Sequence, residues 1–156
     1  MTYTITVRIY QTDSSTFFHL VEKTNWKYAA PCVWSEVDGT YVLKMQNSGT
    51  CGSLRLESDA GENFIVTLGV HNYKRWCDIV TNLSPDQTGV VITPEYYDSK
   101  HSDRVAQRER QLESYSVSNN KGRKFTVSYS VAEGNNLTAN VIIGESKSLQ
   151  RFIHLL

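Results

Sequence analysis

The stretch YTITVRIY, from Tyr3 to Tyr10, alternates between apolar and mostly polar side chains. Because successive side chains of a β-strand point to opposite faces, this alternation puts Tyr3, Ile5, Val7 and Ile9 on one face. A strand with one apolar face and one polar face is typical of an antiparallel sheet that is half-buried. The N-terminal segment therefore predicts a β-rich fold.

The same alternation recurs at Tyr41–Met45, Asn63–Leu68, Lys124–Val131 and Leu137–Ile143. Clusters rich in Gly, Asn and Asp interrupt the chain between such segments, and these residues tolerate the positive φ of tight hairpins. Many short strands joined by hairpins predict an antiparallel β-sandwich or barrel. The predicted turns are Val37–Thr40, Asn47–Gly49, Asp59–Gly61, Asn119–Gly122 and Glu133–Asn136.

The middle of the chain carries helical signals instead. Lys74–Leu83 has apolar residues at spacings of three and four, which predicts a short helix. Ser84–Gln87 combines a capping residue, a proline and a glutamine in the order of a helix start. A helix–turn–helix insert is therefore expected between two sets of strands. The charge-rich segment Ser102–Glu113 is compatible with either a helix or an ordered loop.

Length and charge limit the possible functions. The 156 residues predict one domain, and 16 Lys and Arg balance 16 Asp and Glu, so the formal net charge is zero. General nucleic-acid binding depends on Lys and Arg that neutralise phosphates, and clamping to an anionic membrane needs a polybasic face. The balanced charge argues against both kinds of partner.

The N-terminus and the cysteines indicate a reducing compartment. MTYTITVRIY has neither the basic nor the apolar region of a secretory signal, and no stretch approaches the roughly 18 apolar residues of a membrane span. Cys32, Cys51 and Cys77 are odd in number and lack CxxC spacing, which favours buried free thiols over disulfides or a zinc site. We therefore expect a cytoplasmic protein without membrane insertion.

Motifs for catalysis are missing from the sequence: GxSxG, HExxH, GxxxxGK[ST] and GxGxxG do not occur. Gly49–Ser53 superficially resembles a nucleophile turn around Cys51, but a glycine-rich loop between strands is the favoured interpretation. Gly69–Leu83 concentrates His, Asn, Tyr, Lys, Arg, Trp and Asp. Such groups suit a polyhydroxylated ligand, because they bind sugar hydroxyls and stack on apolar C–H faces. The alternative is a helix cap with ordinary surface charges.

Several long strings occur in a fixed order along the chain: TNWKYA (24–29), SGT-GSLR (48–55), HNYKRWCDIVTNL (71–83), EYY (95–97), QLxSY (111–115) and EGxNLxANxIIG (133–144). Together they closely resemble the fungal fruit-body lectins, from Tyr3 to Gly144. The resemblance implies a mainly β fold, an antiparallel β-sandwich whose two sheets are connected by a helix–loop–helix, similar to the actinoporins. It also implies a homotetramer with no catalytic activity, metal or cofactor.

The resemblance further implies two sugar sites in each subunit. One takes Galβ1-3GalNAc, the Thomsen–Friedenreich antigen, through its GalNAc, and the other takes terminal N-acetylglucosamine (GlcNAc). The arginine of the second, GlcNAc site is assigned to Arg104 by counting back from QLxSY, and Arg108 is the alternative. Carried over to this sequence, the first site comprises Ala29, Ser48, Gly49, His71 and Asn72, and the second comprises Asp78, Ile79, Thr81, Arg104 and Tyr115.

The implied function is a lectin that cross-links O-glycans and GlcNAc-terminated glycans, with a use in fungal defence. Two alternatives remain: a membrane-active pore former of the same fold and, less favoured, a glycosidase. The lectin domain is expected to span residues 1–144, leaving 145–156 as a tail. Its apolar residues share one helical face, which predicts a docked helix, with a disordered end as the alternative; they are Leu149, Phe152, Ile153 and Leu156.

Overall fold

Two β-sheets pack face to face in this computed structural model, which describes residues 1–147. Ten strands are found in that part of the chain, and a helical insert separates the seventh from the eighth. The strands are β1 Tyr3–Gln11, β2 Phe18–Lys27, β3 Cys32–Val37, β4 Thr40–Met45, β5 Thr50–Ser58, β6 Asn63–His71, β7 Lys74–Thr81, β8 Ser114–Ser118, β9 Lys124–Val131 and β10 Asn136–Ile143.

The larger sheet has six strands in the order β3-β4-β1-β10-β9-β8, and the smaller has four in the order β2-β5-β6-β7. Neighbouring strands are antiparallel except for β1 and β10, which run parallel with Ile5 opposite Leu137. The chain passes from the smaller sheet to the larger through the helical insert after β7. The prediction of a mainly β sandwich with a helical connection between its sheets is confirmed.

The sandwich core lies between the sheets, and β1 contributes to it as the alternation predicts. Tyr3, Ile5 and Val7 are buried, and Ile9 packs against the same core. The predicted turn at Val37–Thr40 is also present, with positive φ at Asp38 (51°) and Gly39 (75°) between β3 and β4. Positive φ at both central residues is the geometry of a type I′ hairpin, which glycine and aspartate tolerate.

The helical insert, Gly89–Glu109, covers the outer face of the smaller sheet. It comprises α1 Gly89–Ile92, a 3-10 helix Thr93–Tyr97 and α2 Ser102–Glu109. The charge-rich segment Ser102–Glu113, for which the sequence allows a helix or a loop, is therefore helical over most of its length and leads into β8. A second apolar cluster fills the space between the insert and the sheet. It contains Cys51, Ile65, Trp76, Leu83, Ile92 and Tyr96.

This cover explains why the helix predicted at Lys74–Leu83 is wrong. The segment is strand β7, paired with β6 so that Cys77 opposes Leu68. Cys77 and Ile79 face the sandwich core, whereas Trp76 and Val80 belong to the cluster under the insert. Because both faces of the strand are buried, its apolar residues do not alternate, and their spacing imitates a helix. Strand β6, predicted as half-buried, is likewise buried on both faces.

The predicted helix start at Ser84–Gln87 is a single turn. The backbone N–H of Ser84 donates to Oε1 of Gln87 (2.9 Å), and the N–H of Gln87 donates to the carbonyl of Ser84 (2.9 Å). These bonds close the turn locally, and α1 begins only at Gly89, whose N–H donates to Glu22 (2.7 Å). The loop expected at Gly49–Ser53 is also mostly strand, since β5 begins at Thr50.

Cys32, Cys51 and Cys77 are all free thiols; the predicted burial is found for Cys51 and Cys77, whereas Cys32 is only half-buried. Strand β10 ends at Ile143, next to the predicted domain limit of residue 144. The apolar tail face of Leu149, Phe152, Ile153 and Leu156 lies outside the described residues. No helix in the described part of the chain is long and apolar enough to cross a membrane.

Candidate functional site

The five residues predicted for the first sugar site lie together at one end of the smaller sheet. Ala29 follows β2, Ser48 and Gly49 precede β5, and His71 and Asn72 lie where β6 turns into β7. The N–H of Ala29 donates to the carbonyl of Gly49 (2.9 Å), and the N–H of Gly49 donates to the carbonyl of Val70 (2.7 Å). Two backbone bonds therefore connect the three segments.

Gly49 is required here by its surroundings. Its φ is +84°, which side chains rarely adopt, and a Cβ at this position would lie 2.7 Å from the Cβ of Ala29. Any larger residue would push Ala29 away and disturb the bond between the two loops. Glycine thus keeps Ala29 and Ser48 adjacent at the surface.

The β6–β7 hairpin presents Asn72 at its tip. His71 pairs with Lys74, and the two residues between them, Asn72 and Tyr73, have φ of 49° and 64°, again the type I′ geometry. The N–H of Tyr73 donates to Oγ of Ser48 at 2.9 Å. This bond fixes the Ser48 hydroxyl beside the exposed Asn72 amide, where both can bind a ligand.

His71 is partly buried behind this patch. Its Nδ1 lies 3.4 Å from the Tyr97 hydroxyl and its Nε2 lies 3.7 Å from Oε1 of Glu109. Burial and the positive charge of Arg108 lower the pKa of His71 below its usual value. The imidazole is therefore neutral at pH 7, with one nitrogen as a donor and the other as an acceptor.

The five residues predicted for the second site line one cleft of about 290 Å³. Asp78, Ile79 and Thr81 come from β7, Arg104 from α2 and Tyr115 from β8. The cleft thus lies where the helical insert meets the adjoining edges of the two sheets. Val80, Asp103 and Gln107 complete its lining.

Asp78 is the buried carboxyl of this cleft, with only 4% of its surface exposed. The hydroxyl of Tyr96, in the 3-10 helix, donates to its Oδ2 at 2.5 Å. Burial raises the pKa of Asp78 above the ordinary aspartate value, although the Tyr96 hydrogen bond acts in the opposite direction. The site therefore contains a carboxylate that is poorly solvated and held in one orientation.

Arg104 and Arg108 are the two candidates for the arginine of the second site, and the structure gives them different surroundings. Arg104 lines the second cleft, and its Nε donates to Oε1 of Glu95 at 3.0 Å. Arg108 lies one helical turn further along α2, where it donates to the carbonyl of Tyr96 (2.9 Å) and stacks 4.6 Å from the Tyr97 ring centroid. Arg108 therefore lies behind the first patch, beside His71.

Sequence reasoning assigned no role to the tyrosine pair that stands behind both sites. Tyr96 bonds to Asp78 of the second site, and its neighbour Tyr97 approaches His71 of the first. The EYY string signals these residues, since it is among the motifs that carry the family resemblance. Their separate contacts depend on how the 3-10 helix lies on the smaller sheet, which the local sequence does not specify.

The chemistry of both sites is that of hydrogen bonding and apolar contact. Hydroxyl, amide, imidazole, carboxylate and guanidinium groups surround small apolar surfaces, as expected for binding a polyhydroxylated ligand. Among residues 1–147, no group of three or more His, Cys, Asp or Glu side chains is arranged to hold a metal ion.

Known proteins share both the sequence and the architecture of this chain. The family model described as fungal fruit body lectin matches residues 1–141. Boletus edulis lectin is 52% identical over 143 residues, which span 91% of this chain and 99% of that protein. The crystal structure of the wild-type Xerocomus chrysenteron lectin superposes with a TM-score of 0.88 at 51% identity, covering 92% of this chain and 100% of that chain.

A more distant structure shares only the fold. The lipid-binding protein Nakanori superposes with a TM-score of 0.58 at 9% identity, over 92% of this chain and 71% of that chain. The lectins, by contrast, match at the level of sequence as well, and the family model covers residues 1–141, which include both candidate sites. On the match of the family model and the 52% identity to Boletus edulis lectin, this chain belongs to the fungal fruit body lectin family, the carbohydrate-binding lectins of fungal fruit bodies.

Proposed function

We propose that this protein is a lectin with two separate sugar specificities. The first patch, Ala29, Ser48, Gly49, His71 and Asn72, takes Galβ1-3GalNAc through its GalNAc, and the second cleft takes terminal GlcNAc. The observation that carries the proposal is the convergence of Asp78, Ile79, Thr81, Arg104 and Tyr115 on one cleft from three separate elements.

The lining of the second cleft suits an N-acetylated hexose. A carboxylate accepts hydrogen bonds from adjacent sugar hydroxyls, and a guanidinium donates to hydroxyl or acetamido oxygens. Asp78 and Arg104 supply these two groups. Ile79 offers an apolar surface for a ring face or the acetamido methyl, and Tyr115 offers both a ring and a hydroxyl.

The first patch suits a galacto sugar for a different reason. It contains no acidic side chain among its five members, and its donors and acceptors come from the Ser48 hydroxyl, the Asn72 amide and the neutral His71 ring. Neutral groups bind hydroxyls without the desolvation cost of a charge. The two sites are therefore expected to select different sugars.

Weak single sites become useful through multivalency. A small sugar buries little area, so affinity at one site is low. Several sites on one assembly raise avidity by about 10²–10⁴ when they engage together. We propose a cytoplasmic homotetramer that cross-links O-glycans and GlcNAc-terminated glycans of organisms that feed on the fungus.

Calorimetric titration of the purified protein with each sugar tests this proposal. Galβ1-3GalNAc and GlcNAc should each bind, and saturation with one should leave the binding of the other unchanged. If neither sugar binds, the proposed function is wrong. If the two sugars compete, the assignment of two separate sites is wrong.

A glycosidase is the second candidate, because the cleft contains a second carboxyl group. Asp103 lines it together with Asp78, whose pKa is raised by burial as a general acid requires. Against turnover, the Tyr96 hydroxyl donates to Oδ2 of Asp78, and this bond favours the ionised carboxylate over the protonated form that a general acid needs. A chromogenic N-acetylglucosaminide should remain uncleaved; release of the chromophore, abolished by Asp78→Asn, would establish an enzyme instead.

The pore-forming alternative is opposed by the position of the N-terminal segment. Residues Tyr3–Gln11 form β1, which pairs with β4 on one side and with β10 on the other. Releasing this segment as a membrane-active helix would break both ladders and expose the buried Ile5 and Val7. Vesicles without glycolipid should therefore retain an entrapped dye when the protein is added.

A further inference from the structure

Two exposed tyrosines flank the first patch. Tyr28 directly precedes Ala29 and is 62% exposed, and Tyr73 directly follows Asn72 and is 76% exposed. Tyrosine is enriched at binding surfaces, because its ring offers an apolar face and its hydroxyl a polar group. Neither tyrosine belongs to the set of residues assigned to the sugar above.

The Tyr28 ring is held in place although it is exposed. It stacks on Tyr97 with a centroid distance of 4.5 Å and an angle of 22° between the planes. Tyr97 in turn lies 5.6 Å from the His71 ring and close to Arg108. The position of Tyr28 is therefore fixed relative to His71, and its outer side remains available.

Tyr73 is held through its backbone. Its φ of 64° is unusual for a bulky residue, and such conformations recur at ligand sites when the surrounding structure enforces them. Here the N–H of Tyr73 donates to Ser48 Oγ at 2.9 Å, which ties the residue to the first patch. An asparagine or glycine would satisfy this turn without strain, so the turn alone does not account for a tyrosine.

We propose that Tyr28 and Tyr73 are specificity-determining residues that contact the second sugar of a disaccharide whose first sugar occupies the patch. This inference rests on the proposed function of that patch. A pyranose ring has an apolar C–H face, and a tyrosine ring that is already ordered binds it at little cost in side-chain entropy. The polar groups of the patch select the first sugar, and the two tyrosine rings raise the affinity when a second sugar is attached to it.

The test compares a monosaccharide with a disaccharide by calorimetry on the full chain. The variants are Tyr28→Ala and Tyr73→Asn, the latter keeping a residue that tolerates positive φ. Each should lower the affinity for Galβ1-3GalNAc roughly three- to tenfold, the range expected for one lost ring contact, and change the affinity for GalNAc less than about twofold. Tyr28→Phe should retain disaccharide binding, because the ring is kept.

The matched control is Tyr10→Ala, since Tyr10 is 49% exposed on β1 in the other sheet. It should bind both sugars as the wild type does. The inference would be overturned if Tyr28→Ala and Tyr73→Asn lost affinity for GalNAc and for the disaccharide to the same extent. It would also be overturned if these variants lost affinity for neither sugar. A wild type that binds GalNAc and disaccharide equally well would overturn it too, with the proposed function left intact. A wild type that binds neither sugar refutes the proposed function itself.

Discussion

The hydroxyl of Tyr96 donates a 2.5 Å hydrogen bond to Oδ2 of Asp78, and this bond links the helical insert to the second cleft. Asp78 lies on the face of β7 that the insert covers, so the carboxyl is removed from water by the element that orients it. Burial raises its pKa, which means that the folded protein binds a proton at Asp78 more tightly than the unfolded chain does. Ionisation of Asp78 therefore costs the folded protein free energy.

Asp78→Asn is therefore expected to weaken GlcNAc binding without lowering stability at pH 7. The amide keeps the size of the side chain and removes the buried charge, while the acceptor for sugar hydroxyls is weakened. Urea denaturation should give a free energy of unfolding at least equal to that of the wild type, and calorimetry should show lost GlcNAc affinity with Galβ1-3GalNAc binding unchanged. Asp59→Asn, at a position whose side chain is 90% exposed, is the control and should alter neither measurement.

On acidification, GlcNAc binding should also decline at a higher pH than it would if Asp78 had the pKa of an ordinary aspartate. Because the folded pKa of Asp78 is raised, the carboxylate is lost as the pH falls through that raised value. Titrations at a series of pH values should place the decline above the ordinary aspartate pKa of 3.8. A profile in which the wild type and Asp78→Asn decline in parallel would show that another group controls the pH dependence.

The sequence predicts best those strands that have one buried face. The alternation at Tyr3–Tyr10 and Lys124–Val131 corresponds closely to β1 and β9, because the outer face of the larger sheet carries polar side chains. It fails at Lys74–Leu83, where the insert buries the second face and removes the alternation. Local patterns carry no information about a cover that is formed by residues later in the chain.

The candidate sites show the same limit. Asp78, Arg104 and Tyr115 come from β7, α2 and β8, and no spacing rule brings residues so far apart in sequence into one cleft. Only the resemblance to a family grouped them. Arg104 and Arg108 occupy the same face of α2, one turn apart, so counting cannot distinguish their roles; their contacts with Glu95 and Tyr97 do.

Gly49→Ala should impair the first site beyond the ordinary cost of a strained turn. The φ of +84° costs alanine about 1–2 kcal/mol, and the new methyl group would also lie 2.7 Å from the Cβ of Ala29. Gly134→Ala is a matched control, because Gly134 has a φ of +86° with no atom within 4 Å of an added Cβ. Both variants should lose stability in urea denaturation, but only Gly49→Ala should lose binding of Galβ1-3GalNAc. Equal binding by the two variants would mean that the Ala29–Gly49 contact does not shape the site.

The sandwich end opposite the first patch depends on a buried charge network. Arg123 donates from Nε to Oε1 of Glu62 (2.9 Å) and from Nη1 to Oδ2 of Asp13 (3.0 Å), and all three side chains are at least 95% buried. Arg123→Met leaves two carboxylates buried without their partner, so the free energy of unfolding should fall by about 3–5 kcal/mol. Arg55→Met is the control: it breaks the pair with Glu22, whose side chains are 22% and 18% exposed, and it should cost less than Arg123→Met because the remaining carboxylate stays closer to water.

The same network predicts how the wild type responds to acid. Burial raises the pKa of Glu62 and of Asp13, but hydrogen bonds from Arg123 and Asn119 to Glu62, and from Ser15 and Arg123 to Asp13, outweigh it and lower both values. A lowered folded pKa means that the stabilisation is complete above the ordinary values of 4.5 and 3.8 and is lost as the pH falls through the folded ones. Urea denaturation of the wild type should therefore show stability falling below about pH 4.5, and Arg123→Met should show a shallower fall. If the two proteins lose stability in parallel, the network does not control acid unfolding, because Arg123→Met has already removed the bonds that lower these pKa values.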